Sequence, residues 1–209
     1  MLRTEAFQLF VGTKNLGKLS ELKALLASMP VDVLSPQNFP DIGVPEETGS
    51  SLEENALIKA RYYHAASGLP TLAEDSGLEV EALDGLPGAY SARFAGPSAT
   101  DAENVQALLQ ALRGETRRQA RFRTVVALII SPDKLFVFEG EVRGRIAYQP
   151  QGRFGFGYDP VFIPEGSDRT FAQMLPEEKN ALSHRRRAME KILMALERLI
   201  LGSNILNPK

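Results

Sequence analysis

The chain has 209 residues, 44% hydrophobic and 24% charged, with a formal net charge of −2: enough for one well-filled domain, with no general pull toward nucleic acid or an anionic membrane. It contains no cysteine, which excludes disulfides, thiol nucleophiles and cysteine-held zinc and fits a reducing compartment. The segment "MLRTEAFQLFVG" lacks the apolar core of a signal peptide, and the longest apolar run, Val125–Ile130, is far too short to span a bilayer, so a cytoplasmic protein with no stable nucleic-acid or membrane partner is expected.

In chain order, "FQLFVG" reads as a buried strand closed by Gly12. Leu19, Leu22, Leu26 and Met29 then share one helical face, and Pro30 stops that helix. "VDVLSP" alternates and predicts a second strand, and "SPQNFPDIGVPEETGSS" predicts a long loop. Ser51 with Glu54, or Ser50 with Glu53, matches a capping box that starts a helix running to about Ser67, with Gly68 and Pro70 as its stop. "TLAEDSGLEVEAL" reads as strand, tight turn at Ser76-Gly77, strand; "DGLPGAYSARFAGPSAT" reads as a further loop. A helix is predicted from Asp101 to about Arg113. "ARFRTVVALII" and "KLFVFEGEVRGRIA" flank the turn "SPDK" and predict a long β-hairpin. After a Gly-rich aromatic stretch, a last helix is predicted from about Ser183 to Leu201, with Met189, Ile192, Leu193, Leu196 and Leu199 or Ile200 on its apolar side. A βαβ beginning followed by hairpins favours an α/β fold with a mixed sheet, in a single domain over residues 1–209 without a separable linker.

Five stretches carry residues suited to chemistry. Gly12 to Lys18 reads G-x-x-x-x-G-K, a Walker A loop with Leu19 where the metal-holding Ser or Thr belongs. A strand leading through a polar loop into a helix start presents backbone amides and the positive end of the helix dipole to an anion, and Lys14 and Lys18 add charge; a solvated connection with two surface lysines is the alternative. In "VPEETGSSLEENA", Glu46 and Glu47 are either hard-metal ligands or favourable charges ahead of a helix. "AEDSG" offers acids for metal binding and for accepting a proton from water, or an Asx-type turn. "GRFGFGYDP" offers an aromatic for stacking on a nucleobase beside a carboxylate, or core aromatics in a turn. In "EEKNALSHRRR", Lys179, His184 and Arg185 suit phosphate and a purine carbonyl, or form a plain basic helix face. Together they outline a nucleoside polyphosphate site.

"TKNLGKLSEL", "EETGSSLEENALIKA", "EDSGLEVEALDGLPGAYSARF", "FGFGYDPVF" and "EEKNALSHRRRAM", in that order and rough spacing, resemble the inosine/xanthosine triphosphate pyrophosphatase family over nearly the whole chain. The resemblance implies a long central mixed β-sheet with helices forming two lobes around a deep substrate cleft, a homodimer, and Mg²⁺-dependent hydrolysis of dITP, ITP and XTP or dXTP to the monophosphate and pyrophosphate, which cleanses the nucleotide pool. Carried over by position, Thr13, Lys14, Asn15, Leu16, Gly17 and Lys18 bind the triphosphate. Glu46 and Asp75 hold the metal, and Asp75 also activates water. Lys59 and Ser76 contact substrate, as does Arg93, whose role is less defined. Phe156, Gly157, Tyr158 and Asp159 form the base pocket, and Lys179, His184 and Arg185 complete the nucleotide contacts. Two positions depart from the family pattern: Lys14 stands where a small residue is common, and Glu74 where Asp is commoner, leaving open whether Glu74 or Glu47 also meets the metal. The rival readings are a related pyrophosphatase acting on modified pyrimidine nucleotides, a P-loop NTPase or kinase, and a nucleic-acid-binding module built on "RRQARFR" and "SHRRR".

Overall fold

The computed structural model describes residues 6–200. Leu201, the expected end of the last helix, and residues 1–5 of the N-terminal reading lie outside them. Strand β1 (Phe7–Val11), helix α1 (Leu16–Leu26) and strand β2 (Val31–Leu34) form the first unit. Helix α2 (Leu52–Ser67), strand β3 (Thr71–Val80), helix α3 (Asp101–Ala111), strands β4 (Gln119–Ser131), β5 (Lys134–Ile146) and β6 (Phe162–Pro164), and helices α4 (Pro176–Leu182) and α5 (His184–Ile200) follow. The sheet order is β2-β1-β3-β4-β5-β6. β1 is parallel to β2 and β3; every other pairing is antiparallel. The mixed α/β sheet is therefore the one expected.

Strand alternation divides the core between the two faces of this sheet. On one face Leu72 of β3 and Val126 and Leu128 of β4 pack with Leu19, Leu22 and Leu26 of α1 and Ala188, Met189, Ile192 and Leu196 of α5. On the other face Ala73, Val125, Ala127 and Ile129 meet Leu52, Ala56 and Ala60 of α2. A third cluster, around Leu78, Phe122, Tyr158, Phe162 and Phe171, carries the Gly-rich aromatic segment on the far half of the sheet. Each fully buried aliphatic side chain contributes about 1.5–3 kcal/mol, so truncating Leu22, which is 0% exposed, costs about 2–5 kcal/mol.

Two corrections to the predicted elements bear on the site. Ser76 and Gly77 form no turn: β3 runs straight through them, pairing Ser76 with Thr124 and Gly77 with Arg123 on β4. Gly77 is there because the carbonyl of Gly88 lies where a side chain would begin, the close backbone approach for which a strand glycine is suited. The segment read as loop over 84–100 coils into a 3-10 helix at Gly88–Arg93, and Ser91 in it accepts a hydrogen bond from Leu78 N at 2.9 Å and donates one to Gly88 O at 2.6 Å. Strand β6 and the short helix α4, not foreseen, bracket the last part of the site. At α5, a Cβ on Gly140 of β5 would collide with the backbone of His184 and Ala188; this bare strand position lets the first turn of α5 lie directly on the sheet.

Candidate active site

The phosphate loop is built as its sequence suggested. β1 ends at Val11, and Asn15 caps α1 by accepting from Lys18 N at 2.9 Å, while Thr13 Oγ1 accepts from Asn15 N at 3.2 Å. The cap satisfies one orphan amide of the helix start and leaves the dipole's positive end facing a cavity of about 280 Å³. Thr13, Lys14, Asn15 and Lys18 line this cavity. Leu16 is 65% exposed and does not, nor does Gly17. A methyl group on Gly17 would stand 2.5 Å from Phe156 Cδ1, so Gly17 joins the loop to the aromatic segment by having no side chain. Leu19 is buried in the core. It cannot hold a metal, which removes the P-loop reading.

Across the cavity, β3 presents its acids on opposite faces. Asp75 points toward α2, where Lys59 Nζ lies 2.7 Å from Oδ1 and Asn55 Nδ2 donates to Oδ2 at 3.3 Å. Lys59 also reaches Glu47 Oε1 at 3.2 Å. Glu74 points toward α1 and α5. Arg185 grips it with two 2.7 Å hydrogen bonds, and Lys18 lies 3.5 Å away. Burial pushes the Glu74 carboxyl upward, but the Arg185 and Lys18 cations win and hold it well below the usual range. Burial likewise pushes the Lys18 ammonium downward against the pull of Glu74. Glu74 is thus a structural counter-ion, and Asp75 is the acid left facing the cavity.

Beneath Phe156 runs a chain of alternating charges. Arg185 and Lys179 share Glu21 of α1, the Lys179 contact at 2.7 Å, and Lys179 also meets Asp159 at 2.5 Å. Asp159 in turn accepts from Phe156 N at 2.9 Å. The Lys179 ammonium sits 4.5 Å from the centre of the Phe156 ring, where the ring quadrupole attracts a cation. Burial raises the Asp159 carboxyl against the pull of Lys179. Tyr158 donates to Ser91 O at 2.9 Å, and Gly157 N donates to Asp101 Oδ2 at 2.6 Å, which ties the segment to α3. His184 stacks on Phe122 with ring centres 4.9 Å apart; its Nδ1 is buried without a protein partner, and burial holds the imidazole well below its usual basicity, so the ring is neutral.

Most residues named from the sequence therefore meet in one place: besides those of the loop, Lys59, Asp75, Ser76, Phe156, Gly157, Tyr158, Asp159, Lys179, His184 and Arg185 all line the cavity. Glu46 is exposed and does not line it; its neighbour Glu47 does. Arg93 stands behind the rim, stacked 5.2 Å from the Tyr90 ring with Nη2 3.5 Å from the Glu47 carbonyl. Lys179 and Arg185 are spent on protein carboxylates under the aromatic platform. The sequence reading missed Asn55, Glu21 and Asp101. Asn55 and Lys59 are four apart on α2, and Glu21 is three after Lys18 on α1, so helical spacing places each beside a residue already singled out.

The model of the Ham1 family matches residues 9–195. The chain is 47% identical over 188 residues to the dITP/XTP pyrophosphatase of Deinococcus deserti, spanning 90% of this chain and 88% of that one. Among solved structures, a HAM1 protein from Coxiella burnetii superposes with a TM-score of 0.84 at 40% identity, covering 92% of this chain and 99% of the other. A nucleoside-triphosphatase, dITP/XTP pyrophosphatase, from Mycobacterium abscessus does so with a TM-score of 0.72 at 43% identity, covering 90% and 99%.

Proposed function

The chain belongs to the Ham1 family, and from that premise we propose that it hydrolyses dITP and XTP, with ITP and dXTP, to the nucleoside monophosphate and pyrophosphate. One observation supports this reading above the others: a cationic helix start, the carboxylate of Asp75 and an aromatic platform at Phe156 converge on one cavity. Relatives named for this activity cover nearly the whole chain, which favours it over a pyrimidine-directed pyrophosphatase or a nucleic-acid module.

The triphosphate lies against the amides at the start of α1, with Lys18 and Lys14 neutralising its charge. The base stacks on Phe156, whose underside is braced by Lys179. The neutral His184 lines the cavity, where a ring N–H donates to the six-position carbonyl of hypoxanthine or xanthine. Adenine has an amino group there, which leaves the donor unpaired and disfavours binding. Asp75 accepts a proton from the water that attacks the α-phosphorus, and pyrophosphate departs. Lys59, 2.7 Å from Oδ1, orients Asp75.

Among the described residues no three His, Cys, Asp or Glu side chains gather into an all-protein metal cage. Magnesium needs less, since it binds through one or two carboxylates together with substrate phosphates. Glu47 and Asp75 already share the cation of Lys59 between them, so the donor set fits. Glu47, in place of the exposed Glu46, and Asp75 would hold the ion. When bound it would neutralise charge developing on the phosphate oxygens.

The resemblance also supports a homodimer, a single domain over 1–209 with lobes on either side of the cavity, and work in the cytoplasm; among the described residues no helix is long and apolar enough to cross a membrane. The activity is tested by incubating the protein with dITP and Mg²⁺ and identifying the products. dIMP and pyrophosphate are expected, whereas dIDP and orthophosphate would overturn the reading.

A further inference from the structure

We propose that Asn55 is a positioning residue for the hydrolytic step: it fixes the second oxygen of Asp75 and ties the Glu47-bearing loop to it. The inference rests on the assignment of Asp75 above.

Asn55 is 0% exposed, although an amide carries two donors and an acceptor that burial leaves costly unless they are paired. Its Oδ1 accepts from Gly49 N at 2.9 Å, and its Nδ2 donates to Asp75 Oδ2 at 3.3 Å. The first bond decides the second. With Oδ1 committed to a backbone N–H, the amide has one orientation, and its N–H side is aimed at Asp75. Asn55 and Lys59 lie four residues apart on α2, so they share a face and grip the two oxygens of one carboxylate, Lys59 on Oδ1 and Asn55 on Oδ2. A carboxylate held at both oxygens has its rotation fixed, and a base must be so fixed to take a proton from a water in line for attack. Gly49 follows Glu47 by two residues in the loop before α2. A methyl group on Gly49 would stand 2.6 Å from Asn55 Oδ1, so the loop is seated on this amide with no slack. Lys59 joins Glu47 and Asp75 by charge, and Asn55, an uncharged side chain, joins the same two segments by hydrogen bonds. Nothing places Asn55 against substrate: it does not line the cavity.

The decisive variant is Asn55→Asp. It keeps the shape and the acceptor for Gly49 N–H but loses the donor to Asp75. The change also sets a second carboxylate against Asp75, so Gly49→Ala, which adds no charge, is assayed beside it and must lower kcat as well. The account predicts that kcat for pyrophosphate release from dITP falls about 10–100-fold, the scale of losing an oriented supporting hydrogen bond, with KM within about threefold of wild type. Affinity for dIMP without added metal, measured by calorimetry, stays within about twofold. Wild-type kcat, or a raised KM with unchanged kcat, overturns the proposal. If Asn55→Asp does not fold by circular dichroism, Gly49→Ala carries the test, since its methyl displaces Asn55 from outside the core: kcat falls with KM held, and wild-type kcat again overturns the proposal. Asp75→Asn is assayed alongside. Its inactivity, together with an unaffected Asn55→Asp, sinks this inference alone; full activity of Asp75→Asn sinks the assignment of Asp75 as well.

Discussion

Glu74 and Asp75 are adjacent in sequence and face opposite sides of the same strand: Glu74 is held by Arg185 of α5 at 2.7 Å, and Asp75 by Lys59 of α2 at 2.7 Å. The period-2 geometry of β3 thereby assigns one acid to the scaffold and leaves the other for chemistry. The two should fail differently. Glu74→Ala leaves the buried Arg185 short of its main counter-ion, and such breakage costs about 3–5 kcal/mol. Urea denaturation should show that loss, whereas Asp75→Asn should abolish turnover with a much smaller change in midpoint.

Acid should destabilise the protein in two stages. His184 stays neutral when folded, while the unfolded imidazole takes up a proton near its usual 6.5. The unfolded state therefore binds more protons below that pH, and stability falls as pH drops from about 6.5, by at most about 1.4 kcal/mol per unit. Glu74 is depressed in the folded state below its usual 4.5, so its contribution is complete above that value and is lost as pH falls further. Melting curves from pH 7 to pH 5 should slope downward, and His184→Gln should flatten that slope.

Phe156 and Gly17 should act as a pair. Stacking on an aromatic contributes about 1–3 kcal/mol per base, so Phe156→Ala should raise KM for dITP about 5–150-fold. Gly17→Ala, whose methyl would meet the ring at 2.5 Å, should push KM in the same direction by tilting the platform. In the double variant the two effects should fall short of additive, measured by steady-state kinetics.

Leu19 should matter for stability alone. It is 5% exposed and packs in the core with α5, so Leu19→Ala should cost about 2–5 kcal/mol. The Mg²⁺ concentration giving half-maximal activity should not move.

Much of this architecture was legible because local signals agreed with the tertiary structure. The cap at Ser51, the stop at Gly68 and the "SPDK" hairpin each stand where the sequence placed them. The failures share a cause. Gly77 looks like a turn residue, but its glycine answers the Gly88 carbonyl, eleven residues further along the chain. Glu46 and Glu47 are equivalent by composition, and only the path of the loop decides which faces the cavity. Helix α4 has seven residues and begins with Pro176, too short for a periodic pattern. Arg185 and Lys179 line the cavity, but their carboxylate partners, Glu74, Glu21 and Asp159, come from three distant segments and were not legible.

The most direct test is the ratio of kcat/KM for dITP to that for dATP, with Mg²⁺ and with pyrophosphate identified as product. A buried donor matched to the purine carbonyl predicts a ratio of at least about 100 in favour of dITP. Equal values for the two nucleotides would contradict the account.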